Sequence, residues 1–138
     1  MFQPKYTKYK KAQKGHLPKG ISIRCNTLNF GKYGLKTIEA GKITSRQIEA
    51  VRRAIIRKTK RIAKIWIRVF PDIPVSRKPA EVRMGKGKGA NEFWITKVKA
   101  GRVLFEIDSI SLIEAKEALN YASSKLPLLT KFVNKINN

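Results

Sequence analysis

The period of apolar and polar positions changes several times along the chain, and each change predicts an element. From Ile21 to Leu28, Ile21, Ile23, Cys25 and Thr27 alternate with Ser22, Arg24, Asn26 and Leu28, which predicts a half-buried strand with Cys25 as a small strand residue. Asn29 to Gly34 reads as a turn. Leu35, Thr37 and Glu39 then oppose Lys36, Ile38 and Ala40 in a short second strand ending at Gly41. Beyond Thr44 the period lengthens. Thr44 and Gln47 stand at capping-box spacing, and Ile48, Val51, Ala54, Ile55 and Ile62 follow at helical intervals.

The β-branched and aromatic run Ile65 to Phe70 predicts a buried strand with Trp66 in the core, and Pro71, Pro74 and Pro79 are expected to break regular structure after it. Residues 76–91 read as a long glycine-tipped basic loop. Phe93 to Lys99 and Val103 to Ile107, separated by Ala100, Gly101 and Arg102, predict an antiparallel hairpin. Ser111 with Glu114 opens a second helix striped by Leu112, Ala115, Leu119, Ala122 and Leu126, which stops at Pro127, and Thr130 to Val133 is a final strand. Strands and two helices without repeated βαβ units predict an α+β fold: two helices on antiparallel or mixed strands in one sandwich. A chain of 138 residues is expected to form one such domain, here 21–138, preceded by an arm, 1–20.

Charge changes the picture from a fold to a partner. Thirty-one Lys and Arg against nine Asp and Glu leave a net +22, too basic for a typical metabolic enzyme. Such a chain repels itself unless a polyanion answers it; nucleic acid is the commonest, with an anionic membrane surface as the competitor. Residues 1–69 carry nineteen basic and two acidic side chains (+17), and residues 70–138 carry twelve and seven (+5), so the N-terminal half is expected to face the polyanion. The arm holds six lysines, no acid, and Tyr6 and Tyr9 for stacking on bases. On the first helix, Arg46, Arg52, Arg53, Arg57 and Lys58, continued by Lys60 and Arg61, form a basic face whose like charges repel in water but not beside phosphates.

No apolar run approaches the roughly 20 residues of a membrane span, and the N-terminus lacks the apolar core of a secretory signal. The chain is expected to be soluble, with no membrane contact. Cys25 and His16 are too few for a zinc site, so no metal is expected, nor any cofactor. Gly85 to Ala90 spells G-x-G-x-x-A, but a dinucleotide fingerprint needs a strand before it and a helix after it, and the strand-like Phe93 to Thr96 follows. There is no Walker string and no acid–base constellation, which argues against an enzyme or a small-molecule substrate. Gly31 to Gly34 spells the G-x-x-G of KH domains but lies between predicted strands rather than helices.

Six segments in order carry a family resemblance: Gln3 to Lys8, Phe30 to Lys36, Gln47 to Ala54, Lys64 to Asp72, Lys78 to Gly89 and Lys131 to Val133, of which Lys78 to Gly89 is the most specific. In these the chain resembles the bacterial-type large-subunit ribosomal protein numbered sixteen, one branch of a universal ribosomal family. The resemblance implies an α+β sandwich that binds large-subunit rRNA beside neighbouring ribosomal proteins. It also implies a loop directed at the peptidyl-transferase region and the A-site tRNA, with P-site tRNA as the alternative, while RNA performs the chemistry. Arg83 matches a loop arginine that some bacterial members carry in hydroxylated form.

The rRNA-facing set is then Lys5, Lys8, Lys10, Lys11, Lys14, Arg24, Arg46, Arg52, Arg53, Arg57, Lys58, Lys60, Arg61 and Arg68. The tRNA-site loop is Arg77, Lys78, Arg83, Met84, Gly85, Lys86, Gly87, Lys88 and Gly89. The arm segment Gly15 to Gly20 departs from the family in having fewer arginines. The chain opens at the family's usual first residues, and it is rich in lysine, isoleucine and asparagine. With Ile110 to Leu112 and Leu128 to Phe132, this favours an organelle-encoded mitochondrial ribosome, the bacterial cytoplasm and the plastid being the alternatives. A free-standing RNA-binding or chaperone-like protein is the competing function, and it would be washed from ribosomal subunits by high salt.

Overall fold

The structure, a computed structural model, describes residues 2–135. In chain order the elements are β1 (Tyr33–Thr37), β2 (Gly41–Thr44), α1 (Ser45–Lys58), β3 (Lys64–Ile67), β4 (Ile73–Arg77), β5 (Ala90–Val98), β6 (Val103–Asp108), α2 (Leu112–Ser123) and β7 (Thr130–Asn134). One sheet runs β3-β6-β1-β7 and the other β2-β5-β4, with antiparallel ladders throughout. The α+β class expected from the sequence is what forms. Outside the strands a parallel bridge joins Ile21 to Ala100.

Both helices begin where their caps dictate. The Thr44 hydroxyl accepts the Gln47 N–H at 3.2 Å while the Gln47 side chain accepts the Thr44 N–H at 2.9 Å, and Ser111 and Glu114 repeat the exchange. α1 buries Ile48, Val51, Ala54 and Ile55, and α2 buries Ala115, Ala118, Leu119 and Ala122. The helices pack on one another, α1 also against β2 and β5 and α2 against β1 and β7. Leu35, Ile43, Val98, Leu104, Phe105 and Ile107 complete the core, each large side chain contributing about 1.5–3 kcal/mol of burial.

α1 stops before Ile62, which is 68% exposed and not part of the apolar stripe expected for it. The Arg61 N–H reaches back to the Ile56 carbonyl at 3.0 Å and the Lys60 N–H to Arg57 at 3.3 Å, the paired bonds of a Schellman turn. Lys60 occupies the left-handed position that glycine usually fills, at φ 51°. Replacing Lys60 with glycine is therefore expected to stabilise the free protein by about 1 kcal/mol. A thermal melt checks this, with a rise of roughly 3 °C expected; an unchanged or lower midpoint would show that the left-handed lysine carries no penalty.

Four expectations are corrected. Residues 21–28 form no strand: Ile21 and Ile23 are 74% and 91% exposed, and Cys25 sits in a bend at φ 57°. The segment instead lies across the first sheet, with the Cys25 carbonyl accepting the Val103 N–H at 2.8 Å. β5 and β6 are not a hairpin, because Gly101, at φ 82°, turns the chain from one sheet into the other. Pro74 does not break structure; it lies within β4, an edge strand, where a missing N–H is tolerated. Trp66 is only half-buried, its ring stacked 6.2 Å from that of Phe30.

Candidate nucleic-acid interface

β4 and β5 pair along their length and hold a loop, residues 78–89, at their end. It is shorter than the 76–91 expected, since Arg77 ends β4 and faces Glu92 at 3.8 Å. Gly89 closes its base so tightly that a Cβ there would lie 2.4 Å from the Arg77 carbonyl oxygen. At the tip Gly85, Lys86 and Gly87 all have positive φ, at 96°, 56° and 93°. The Lys78 ammonium donates across the loop to the Gly85 carbonyl at 2.5 Å. Arg83, Met84, Lys86 and Lys88 are exposed, Met84 fully so.

The structure brings the arm to this loop. Lys11 donates to the Lys88 carbonyl at 2.7 Å, and Lys88 donates in return to the Ala12 carbonyl at 2.6 Å. Lys97 of β5 donates to the Lys14 carbonyl, and farther along the Ser22 N–H meets the Ala100 carbonyl at 2.8 Å. Phe2 packs against the core at the other end. Two basic segments more than seventy residues apart thus share one surface. Every ammonium in these contacts is satisfied by a neutral carbonyl, so the contact orders the two segments without cancelling their charge. Lys5, Lys8 and Lys10 lie on the exposed arm with Tyr6 and Tyr9, which are 96% and 70% exposed.

α1 is less uniformly cationic than its sequence implied. Glu49 accepts from Arg52 at 2.7 and 2.6 Å and from Arg53 at 2.8 Å. The Arg52 hydrogen bonds, with help from Arg53 and against a smaller opposing effect of burial, hold the Glu49 carboxyl down to about 2. Arg52 and Arg53 therefore reach a polyanion already half-answered. Arg46, Arg57, Lys60 and Arg61 are exposed, and Lys58 is 4.0 Å from Glu117 of α2. Arg57 and Lys58 fill the last turn, where the helix dipole favours cations. Arg24 is exposed on the bent segment.

Arg68 does not belong with these. Its side chain is 11% exposed and is paired to Glu106, which is fully buried in β6. The other Glu106 oxygen accepts the N–H groups of Asn29, Phe30 and Gly31 at 3.1, 2.7 and 2.9 Å. Burial pushes the Glu106 carboxyl up, but these amides and the Arg68 guanidinium outweigh it and hold it below the usual carboxylate range. Arg68 is thus a counter-ion to Glu106, with only 11% of its side chain left exposed to meet the rRNA expected for it. Two opposite charges inside apolar strand runs, Ile65–Phe70 and Val103–Ile107, were the signal for this pair.

Among the described residues no group of three or more His, Cys, Asp or Glu is placed to hold a metal, and no helix is long and apolar enough to cross a membrane. The Gly85–Ala90 string leads into β5 and offers no helix N-terminus to a pyrophosphate. Gly31 to Gly34 leads into β1.

A family model described as "Ribosomal protein L16p/L10e" matches residues 4–133. Proteins called "Large ribosomal subunit protein uL16" from Nitrobacter winogradskyi and from Rhodopseudomonas palustris strain HaA2 are 57% and 56% identical to the chain over 136 residues. The same description is carried by a Maricaulis maris protein at 56% identity. In each case the match covers 99% of this chain and 98% of the relative. On the family match over nearly the whole sequence and this level of identity, the chain belongs to the ribosomal protein L16p/L10e family.

Proposed function

We propose that this chain is a structural constituent of the large ribosomal subunit whose arm and loop together bind rRNA and shape the A-site tRNA region beside peptidyl transfer. The observation that carries the reading is the shared surface: Lys11 and Lys88 exchange bonds with backbone carbonyls, and the neighbouring ammonium and guanidinium groups remain available to phosphates. The arm, 1–20, and the single α+β domain, 21–138, act as one RNA-binding unit; residues 1 and 136–138 lie outside the described residues. Lys5, Lys8, Lys10, Lys11, Lys14, Arg24, Arg46, Arg57, Lys60 and Arg61 face rRNA, with Arg52, Arg53 and Lys58 contributing less because of their acidic neighbours. The loop from Lys78 to Gly89 faces tRNA, with Arg83 at its exposed flank as the candidate for modification.

The protein positions RNA and performs no chemistry itself. Other ribosomal proteins adjoin it in the subunit. Lysine, isoleucine and asparagine bias supports a mitochondrial, organelle-encoded ribosome; the relatives compared are bacterial, and the bacterial cytoplasm and plastid are the alternatives.

Replacing Arg83 with alanine, or deleting Lys86 to Lys88, tests the loop. The melting point is expected to change little, since these side chains are exposed, while subunits carrying the variant accommodate A-site tRNA more slowly in a rapid-kinetics assay. A variant that fails to fold, or accommodation at the normal rate, would contradict the assignment.

A further inference from the structure

A cleft of about 680 Å³ opens between the two sheets, bounded by the chain just after β3, by β5 and by the β5–β6 connection, with Phe2 and Phe30 at its sides. It lies apart from the projecting loop. Its size is that of a small-ligand pocket, roughly 300–1,000 Å³, yet its walls combine two kinds of group rarely left unused together.

The first is cationic. Arg102 has five N–H donors, but within the described residues its Nη2 makes only a long 3.5 Å bond to the Arg68 carbonyl and its buried Nε has no acceptor. Apart from that one long bond, its Nη donors are left for an anion in the cleft that Arg102 lines. Lys97 lines the same wall with its ammonium already donating to the Lys14 carbonyl. The second kind is aromatic. Phe70 is 49% exposed and has no aromatic or cationic partner among the described residues, and Phe30 is 57% exposed although Trp66 stacks on it and the Arg68 guanidinium lies 5.0 Å from its centroid. Asp72, also on the rim, repels phosphate from its own side and can accept an N–H from a base edge.

We propose that this cleft receives one extruded nucleotide of a single-stranded RNA segment, its base against Phe70 and its phosphate on Arg102. A base held inside a duplex cannot reach the Phe70 ring, whereas an unstacked base can lie on it while its phosphate meets the guanidinium. The inference rests on the rRNA-binding reading above but concerns a different wall of the protein. A free nucleotide carries the same chemistry and is separated from RNA by the test.

The test measures binding of the full-length chain to a short single-stranded RNA, to the blunt duplex of the same sequence and to the corresponding nucleoside monophosphates. Arg102→Gln and, separately, Phe70→Leu are each expected to weaken single-strand binding about tenfold while leaving duplex binding, carried by the arm and loop, within about twofold. Photo-crosslinking with 4-thiouridine in the single strand is expected to label the peptide containing Phe70, and each variant should lose that label. Phe70 is half-exposed, so its variant keeps the question open to test even if Arg102→Gln unfolds.

Equal losses on both RNAs, or none on either, would overturn the proposal, as would monophosphates binding as tightly as the RNA. If the wild-type chain bound neither RNA, the interface reading would fall first. If arm variants weakened both RNAs and the cleft variants neither, only the cleft would fall.

Discussion

Replacing Glu106 with alanine is expected to destabilise the fold by about 3–5 kcal/mol, a large part of a typical domain's total stability of roughly 5–15 kcal/mol. The loss has two sources. Arg68, 11% exposed, would keep its charge with no counter-ion, and the Asn29, Phe30 and Gly31 amides would lose their acceptor. Those amides belong to the segment that crosses β6 so closely that a Cβ on Gly31 would lie 2.6 Å from the Ile107 carbonyl oxygen. Denaturant unfolding measures the effect, and a loss below about 1 kcal/mol would show that the pair is incidental.

The same carboxylate sets an acid limit. Its folded pKa lies below its unfolded value of about 4.3, so as pH falls the unfolded chain takes up the proton first. The stability it contributes is full above about pH 5 and is lost as pH falls toward the folded pKa. Glu49 adds to the same trend down to about 2. Glu106→Gln should lie below the wild type at neutral pH and lose less on acidification; an unchanged acid profile would contradict this.

Replacing Lys5, Lys8, Lys10 and Lys11 together with glutamine is expected to lower rRNA affinity about a hundred- to a thousandfold near physiological salt. Each lost phosphate contact removes roughly 0.7–0.9 from the slope of log affinity against log salt, so the slope should flatten by about 3. Loss of Lys11 also removes its bond to the Lys88 carbonyl, so the loop should lose amide protection from hydrogen exchange near Lys88. Titrations at several salt concentrations read the slope, and an unchanged slope would mean that the arm touches no phosphate.

The elements legible in the sequence were those set by local chemistry. Thr44–Gln47 and Ser111–Glu114 placed both helix starts because capping is settled within four residues. β3 and β7 announced themselves by their β-branched and aromatic runs. What failed depended on distant partners. Alternation at residues 21–28 has the period of a strand, but no neighbour offers that segment a ladder, and Glu106 binds the residues just after it instead. Nothing local to Ala100–Arg102 tells whether the flanking strands pair with each other or enter separate sheets.

For the interface the split is similar. The basic arm, helix and loop were legible as charge, and the loop glycines as backbone freedom at Gly85 and Gly87. That the arm lies on the loop was not, since lysines donating to carbonyls leave no trace in sequence. Arg68 and Arg102 illustrate the limit. Both are arginines beside apolar strands, yet one is paired with Glu106 and the other holds an unused donor.

Where the arm and loop lie in the ribosome is read by placing photoreactive groups at Lys10 on the arm and Lys86 on the loop, one at a time, in assembled large subunits that have been washed at high salt and loaded with A-site tRNA. The chain is expected to survive the wash at one copy per subunit, the arm probe to crosslink to rRNA, and the loop probe to crosslink to tRNA or to rRNA lining its site. Loss of the chain in the wash, or crosslinks to protein alone from both positions, would contradict this.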